Sequence, residues 1–363
     1  MAEIKETVMN IFKSREYLED VEYVASLDLP WNKLENRSVL ISGATGLIGS
    51  FLVDVIMDRN LKFNMNCRIY ALGRSEEKAK NRFPYCVENS LFEFVAYDIT
   101  YPLRRDDIGN IDYVLHLASN THPLQYSSDP VGTITTNVLG TCNMFDFAVE
   151  HEAVRCLLAS SNEIYGENRG DVELFDEHYC GYIDSNTMRA GYPESKRCSE
   201  ALCQAYIRQK GMDIVIPRLT RSYGPTMLKT DSKAISQFIK KGIAGEDIVL
   251  KSAGTQYYSY TYVADAVSGL LTVLLKGECG EAYNIADTGS DIQLKNLASI
   301  IATYVGTSVV FEIPDSAEAA GYSRATKARL DGSKLKQLGW KPKYDIQQGI
   351  ERTIRILKNV DKV

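Results

Sequence analysis

The chain has 363 residues, a net charge of −6, 45% hydrophobic residues and 24% charged residues. That balance gives a globular protein room for one large domain or two smaller ones, and its acidity argues against a nucleic-acid binder, whose surface is basic. No apolar run reaches the length of a membrane span, and eight scattered cysteines with four histidines form no metal or disulfide pattern, which makes the cytoplasm the expected location.

The chain opens with MAEIKETVMNIFKSREYLED. This stretch is acidic and amphipathic and has no apolar core, so it does not read as a secretory signal. Residues 1–36 are expected to be an N-terminal helical extension. Next, SVLISGATGLIGSFLVDVIMDRN predicts a short strand, a glycine turn and a helix. CRIYALGR, FEFVAYDIT and DYVLHLAS predict three more strands, and PVGTITTNVLGTCNMFDFAVE predicts a helix. VRCLLASSNEIYG predicts a fifth strand, RAGYPESKRCSEAL a helix, and DIVIPRLTRSYGP a sixth strand. Strands alternating with helices give an α/β protein with a parallel, doubly wound sheet over residues 37–225. Residues 226–363 mix short strand and helix signals and read mainly as a smaller substrate-binding lobe. The helix in YTYVADAVSGLLTVLLK is expected to return to the main sheet.

The glycine turn is Gly43-Ala44-Thr45-Gly46-Leu47-Ile48-Gly49. Its first glycine permits a tight turn, the second lets backbone approach a pyrophosphate, and the third lets the helix pack on the strand. The helix N-terminus then faces the phosphate charge. Strand, loop and helix together predict dinucleotide binding; the alternative is a structural turn. The second strand ends Gly73-Arg74-Ser75, where a carboxylate would favour NAD and an arginine the 2′-phosphate of NADP. Arg74 leans toward NADP, or stacks on adenine, or is simply solvated. Asp98 and Ile99 would flank the adenine, although Asp98 could equally cap its strand.

Tyr192 and Lys196 are four residues apart, one helical turn, and share a face. An adjacent ammonium favours phenolate and makes a tyrosine a usable general base. Spacing alone carries little, since such pairs are common on helices. The context adds weight: a dinucleotide loop lies upstream, and Ser161 and Glu163 sit at a strand end, where the serine hydroxyl can bond the oxygen that Tyr192 would deprotonate.

With GATGLIGS, HLAS, TNVLGT, SSNEIYG, YPESK, RLTRSYGP and LGWKPKYDIQQGI in place, residues 37–355 resemble the extended short-chain dehydrogenase/reductases of the NAD-dependent epimerase/dehydratase group. The resemblance implies a Rossmann-type fold with a smaller C-terminal α/β substrate-binding lobe and a bound nicotinamide cofactor, NAD or alternatively NADP. It implies a nucleotide-sugar substrate and a homodimer built on the helix carrying Tyr192 and the one at TNVLGT. Ser161, Glu163, Tyr192 and Lys196 take catalytic roles. Leu117, Ala118, Ser119 and Asn137 join the cofactor set with Thr45, Gly46, Leu47 and Ile48. Tyr192 would deprotonate a sugar C4 hydroxyl, after which the sugar is epimerised, dehydrated or, with a C6 carboxylate, decarboxylated. Asn162 stands where dehydratases carry an acid. Arg189 and the run HLASNTHPLQYSSDPVGTITTNVLGTCNM draw the chain toward the UDP-glucuronate decarboxylase branch. Arg221 replaces that branch's asparagine and Tyr258 replaces its diphosphate-binding arginine, so Arg221 is a candidate to supply the missing charge. Lys327 and Arg329 are further candidates for phosphate or carboxylate contact, with solvated charge as the alternative. Two other readings stay open. One is an NADP-linked reductase that releases its cofactor; the other is a non-catalytic dinucleotide binder, which the presence of Ser161, Tyr192 and Lys196 disfavours.

Overall fold

A computed structural model describes residues 11–361 apart from 87, 106, 122–125, 127 and 313–325. The first ten residues of the expected N-terminal extension, and part of the run between HLAS and the following helix, lie outside the described residues.

Helix α1 (Arg15–Ala25) starts on Ser14, whose side chain accepts from the Tyr17 N–H. β1 (Ser38–Ser42), α2 (Leu47–Phe63), β2 (Arg68–Gly73), α3 (Glu76–Arg82), β3 (Phe92–Ala96) and β4 (Tyr113–His116) follow. α4 (Pro130–Glu150) coincides with the segment predicted from sequence. Its start has a local cause: Asp129 caps the Gly132 N–H at 2.9 Å, and Pro130 opens the first turn. β5 (Arg155–Leu158), β6 (Ser160–Ser161), α5 (Gly191–Lys210) and β7 (Ile214–Leu219) complete the first half. α5 ends at Gly211, whose φ of 69° suits a left-handed cap.

DIVIPRLTRSYGP differs from its expectation as one strand. It breaks at Thr220 into β7 and β8 (Arg221–Tyr223), which belong to different sheets. The Ser222 N–H donates to the Thr220 carbonyl at 2.8 Å, closing a tight turn that rotates the strand out of the first sheet. Then come α6 (Ala234–Ile243), β9 (Ile248–Leu250), β10 (Tyr257–Tyr262), α7 (Val263–Lys276), β11 (Ala282–Ile285), β12 (Asp291–Gln293), α8 (Leu294–Val305), β13 (Val309–Phe311), β14 (Lys327–Ala328), α9 (Ser333–Gln337) and α10 (Ile346–Asp361).

The main sheet is parallel in the order β11-β7-β5-β4-β1-β2-β3, with β6 also paired to β7. This is the doubly wound arrangement, and its topological switch lies between β1 and β4. Apolar alternation along β1 explains the layers: Val39 and Ile41 enter the hydrophobic cluster on one face, and Leu40 enters the other. α2 and α7 cover the first face, and α4 and α5 the second. A second sheet runs β12-β10-β14, with β8 paired to β10. β11 and α7 lie late in the chain yet belong to the main sheet and its cover.

Two buried polar knots fix α1 to the rest. Asp54 of α2 accepts from Tyr17, Tyr85 and Arg82, and Arg82 Nη2 also donates to the Tyr17 hydroxyl at 2.9 Å. Asp20 is wholly buried and accepts from Tyr262, Tyr344 and Arg352 at 2.6, 2.6 and 2.7 Å. Removing one partner of a buried ion pair strands the other charge. Arg82→Met should therefore lower unfolding free energy by about 3–5 kcal/mol in urea titrations, while Arg82→Met with Asp54→Leu should recover most of that loss.

Candidate active site

The site is built at the C-terminal ends of β1, β4 and β6 and at the start of β8. Gly43 has φ 71°, and a Cβ there would stand 2.8 Å from the backbone of Ala118, so only glycine lets the first loop close on the end of β4. A Cβ on Gly49 would meet the Gly43 carbonyl oxygen at 2.3 Å, so this position too is confined to glycine. Gly46 caps α2 without a side-chain hydrogen bond, leaving the first N–H groups of that helix to a ligand or solvent. This Cβ-free cradle fits a dinucleotide pyrophosphate. Thr45 sits beside Gly73 at the end of β2, and the Leu47 carbonyl accepts from Thr226 at 2.9 Å. Ile48 is partly buried against the core.

The remaining cofactor candidates surround this loop. Arg74 is exposed and has no hydrogen-bond or ion-pair partner among the described residues. Asp98 closes a turn, accepting from the Thr100 N–H and hydroxyl at 3.0 and 2.8 Å. Ile99 is buried against Gly140. The Leu117 and Ala118 N–H groups both donate to Ser42 Oγ at 3.2 Å. Ser119 donates to Asn137 at 2.7 Å, and Asn137 donates to Ser195 at 2.9 Å, tying β4, α4 and α5 together beside Lys196.

Tyr192 and Lys196 are 6% and 3% exposed at the start of α5. The Lys196 ammonium donates to the Ala159 carbonyl at 2.9 Å. Burial pushes the lysine down to about 8, against the charge of Glu200. Burial likewise pushes the Tyr192 phenol up to about 12. The hydroxyls of Ser161 and Ser119, together with the Arg189 charge, oppose that rise, and the Glu163 charge adds to it. This corrects the expectation that the neighbouring ammonium sets the phenol: in the folded chain burial dominates, and serine hydroxyls do most to favour the phenolate.

Ser161 pairs with Leu219 in the β6–β7 ladder and caps a short 3₁₀ turn at 162–165 by accepting from the Glu163 N–H at 3.2 Å. Glu163 is chelated by Arg189, whose Nη2 donates to both carboxylate oxygens at 3.0 and 2.8 Å. The structure also brings in Tyr126, which sequence reasoning did not single out. Its ring stacks on Tyr192 with centroids 4.9 Å apart, and the Arg189 guanidinium lies 5.0 Å from its centroid. Nothing in its local sequence links it to Tyr192, so the sequence pattern did not signal it.

Arg221 and Tyr258 meet across β8 and β10, with the guanidinium 3.6 Å from the ring centroid. Lys327 and Arg329 lie alongside on and just after β14, but their charges already have partners. Lys327 donates to Glu173 at 2.6 Å, and Arg329 pairs with Glu173 and, at 2.8 Å, with Asp291. Among the described residues no group of three or more His, Cys, Asp or Glu is placed to hold a metal, and no helix is long and apolar enough to cross a membrane.

The family model for the NAD dependent epimerase/dehydratase family matches residues 39–286. UDP-glucuronic acid decarboxylase 3 of Arabidopsis thaliana is 33% identical over 331 residues, covering 90% of this chain and 92% of the relative. Among solved structures, the dTDP-glucose 4,6-dehydratase of Streptomyces venezuelae with NAD bound superposes with a TM-score of 0.74 at 24% identity, covering 88% of this chain and 96% of that one. The UDP-glucuronic acid 4-epimerase of Bacillus cereus, in complex with UDP-glucuronic acid and NAD, gives 0.73 at 22% identity, with 88% and 99% covered. These two structures share the Rossmann-type α/β fold. The chain belongs to the NAD dependent epimerase/dehydratase family and is an enzyme.

The depressed lysine carries a sign that can be checked. An unfolded lysine titrates near 10.5 and the folded Lys196 at about 8. Between those values the unfolded chain holds the proton and the folded chain does not, so stability rises with pH through that window. It is lost as pH falls toward 8. Lys196→Met should remove this rise, so that the stability difference from the unaltered, nucleotide-free protein changes by ~3 kcal/mol between pH 8 and 10.5 in urea titrations.

Proposed function

We propose that this family member is a nucleotide-sugar-modifying enzyme of the UDP-glucuronate decarboxylase kind, oxidising the sugar at C4 and releasing its C6 carboxyl as carbon dioxide. The observation that carries the reading is the convergence of Ser161, Tyr192 and the Arg189–Glu163 pair at one strand end beside the glycine cradle. The 33% identity to a UDP-glucuronic acid decarboxylase over 90% of the chain supports it.

The loop Gly43–Gly49, with Arg74, Asp98, Ile99, Leu117, Ala118, Ser119 and Asn137 around it, would hold NAD. When bound, NAD would supply the hydride acceptor for C4 and, once reduced, the hydride that restores C4 after carbon dioxide leaves, so that the net change is loss of carbon dioxide alone. Tyr192 takes the proton of the C4 hydroxyl, and Ser161 donates a hydrogen bond to the same oxygen. Lys196, anchored on the Ala159 carbonyl, fixes the floor under the phenol. A C4 ketone makes the C6 carboxylate a β-keto acid, which loses carbon dioxide without a dedicated acid. Glu163 is the carboxylate available for proton transfer at C5 afterwards. Asn162 is an amide and supplies no proton for water loss at C6, which disfavours dehydration over decarboxylation.

The proposal extends to organisation. The division at 37–225 and 226–363 separates cofactor and substrate parts, apart from β11 and α7. A homodimer through α4 and α5 fits the exposed Val131, Ile134 and Leu139 on α4, which are 71%, 42% and 47% exposed. A reducing, cytoplasmic location fits the eight free thiols.

Incubation with UDP-glucuronate should give a product lighter by one carbon dioxide in mass spectra. Loss of water instead would mean dehydration, and unchanged mass with new NMR couplings would mean epimerisation; either result moves the enzyme to another branch. Tyr192→Phe should lower turnover by about 10²–10⁴-fold in all branches, and retained turnover would remove the tyrosine from its role. Glu163→Gln should still reduce bound NAD, seen as nicotinamide absorbance, while product formation falls.

A further inference from the structure

Arg221 opens β8 two residues beyond Leu219, the partner of Ser161, so its place is fixed beside the catalytic strand end. Its guanidinium lies over the Tyr258 ring at 3.6 Å. Its Nη1 is buried and makes no hydrogen bond among the described residues. The neighbouring carboxylates are already committed: Glu163 to Arg189, and Glu173 and Asp291 to Lys327 and Arg329. The charge of Arg221 reaches Tyr126 and Tyr258, the same rings that sense Arg189 and Glu163. Glu163 and Arg189 cancel each other, and Arg221 leaves this corner with one unspent positive charge in a chain of net charge −6.

An unsatisfied buried donor in a folded protein calls for an explanation, and a desolvated cation without a counter-ion is unfavourable unless a ligand completes it. Stacking on an aromatic ring leaves the edges of a guanidinium free to donate two parallel hydrogen bonds to an oxyanion. We propose that Arg221, oriented by Tyr258, is the residue that reads an oxyanion of the nucleotide-sugar substrate. The inference rests on the proposed nucleotide-sugar function. The oxyanion has two possible sources, the diphosphate and a C6 carboxylate of the sugar, and the same chemistry serves both.

The test is calorimetric titration of the full-length protein with UDP, UDP-glucose and UDP-glucuronate. Arg221→Gln keeps a planar, polar end on a shorter side chain and removes its charge. It should weaken binding by about tenfold or more, the scale of a hydrogen bond to a charged group. Weakening of all three ligands assigns Arg221 to the diphosphate. Weakening of UDP-glucuronate alone assigns it to the carboxylate. Unchanged binding of all three overturns the proposal. If Arg221→Gln does not fold, Arg221→Lys carries the test, because it keeps the charge and loses the planar fork: binding weaker by about threefold or more supports the proposal, and equal binding overturns it. If the unaltered protein binds none of the three ligands, the nucleotide-sugar reading falls, and this inference falls with it.

Discussion

The turn at Thr220 is the constraint on which the site depends. Before it, β7 lies in the main parallel sheet and pairs with β6, fixing Ser161 against Leu219. After it, β8 pairs with β10 in the second sheet, fixing Arg221 against Tyr260. The Thr220 and Thr261 hydroxyls hydrogen-bond at 2.5 Å and hold the two sheets together at the crossing. One residue of displacement would reverse which side chains face the cleft, since strand side chains alternate. The sheet that carries the glycine loop and the strand that carries Arg221 are therefore held in register by two threonines and a tight turn.

Local pattern made much of this legible. The alternation of strands and helices, the glycine loop and the full extent of α4 rest on short-range signals: apolar period, turn residues and the Asp129–Pro130 cap. Long-range pairings were hidden. Nothing in DIVIPRLTRSYGP announces a change of sheet, because Thr220 is an ordinary strand residue by propensity. The sequence places Arg189 three residues before Tyr192 but says nothing of Glu163, 26 positions upstream, as its partner. Nothing in the sequence around Tyr126 links it to Tyr192, so its stacking on that ring is a tertiary fact alone. The positions 221 and 258 stood out one at a time in the sequence; only the β8–β10 ladder shows that they form one unit.

Burial also reverses an argument that spacing invites. A tyrosine and a lysine one helical turn apart suggest an ammonium tuning a phenol. In the folded chain both groups are pushed toward neutrality, the phenol up to about 12 and the lysine down to about 8. Desolvation acts on each separately and exceeds what either does to the other. What favours the phenolate is local and polar, namely the hydroxyls of Ser161 and Ser119 from two different strand ends. The two serines come from β6 and from the segment after β4, so what favours the Tyr192 phenolate comes from the sheet rather than from its own helix.

The same principle separates the back of the molecule from the front. Behind the main sheet, buried Asp54 accepts from Arg82 and two tyrosines, and buried Asp20 from Arg352 and two more, so each buried carboxylate has a cation and hydroxyl donors. Those closed knots bind α1 to α2, β10 and α10 and leave nothing for a ligand to add. At the front, Lys327 and Arg329 are closed in the same way by Glu173 and Asp291. Arg221 differs: although the chain has 47 acidic residues, this cation, stacked on Tyr258, has no carboxylate partner among the described residues. Lys327, Arg329, Arg82 and Arg352 each have a carboxylate partner from within the chain, and the proposed oxyanion would give Arg221 the partner it lacks among the described residues.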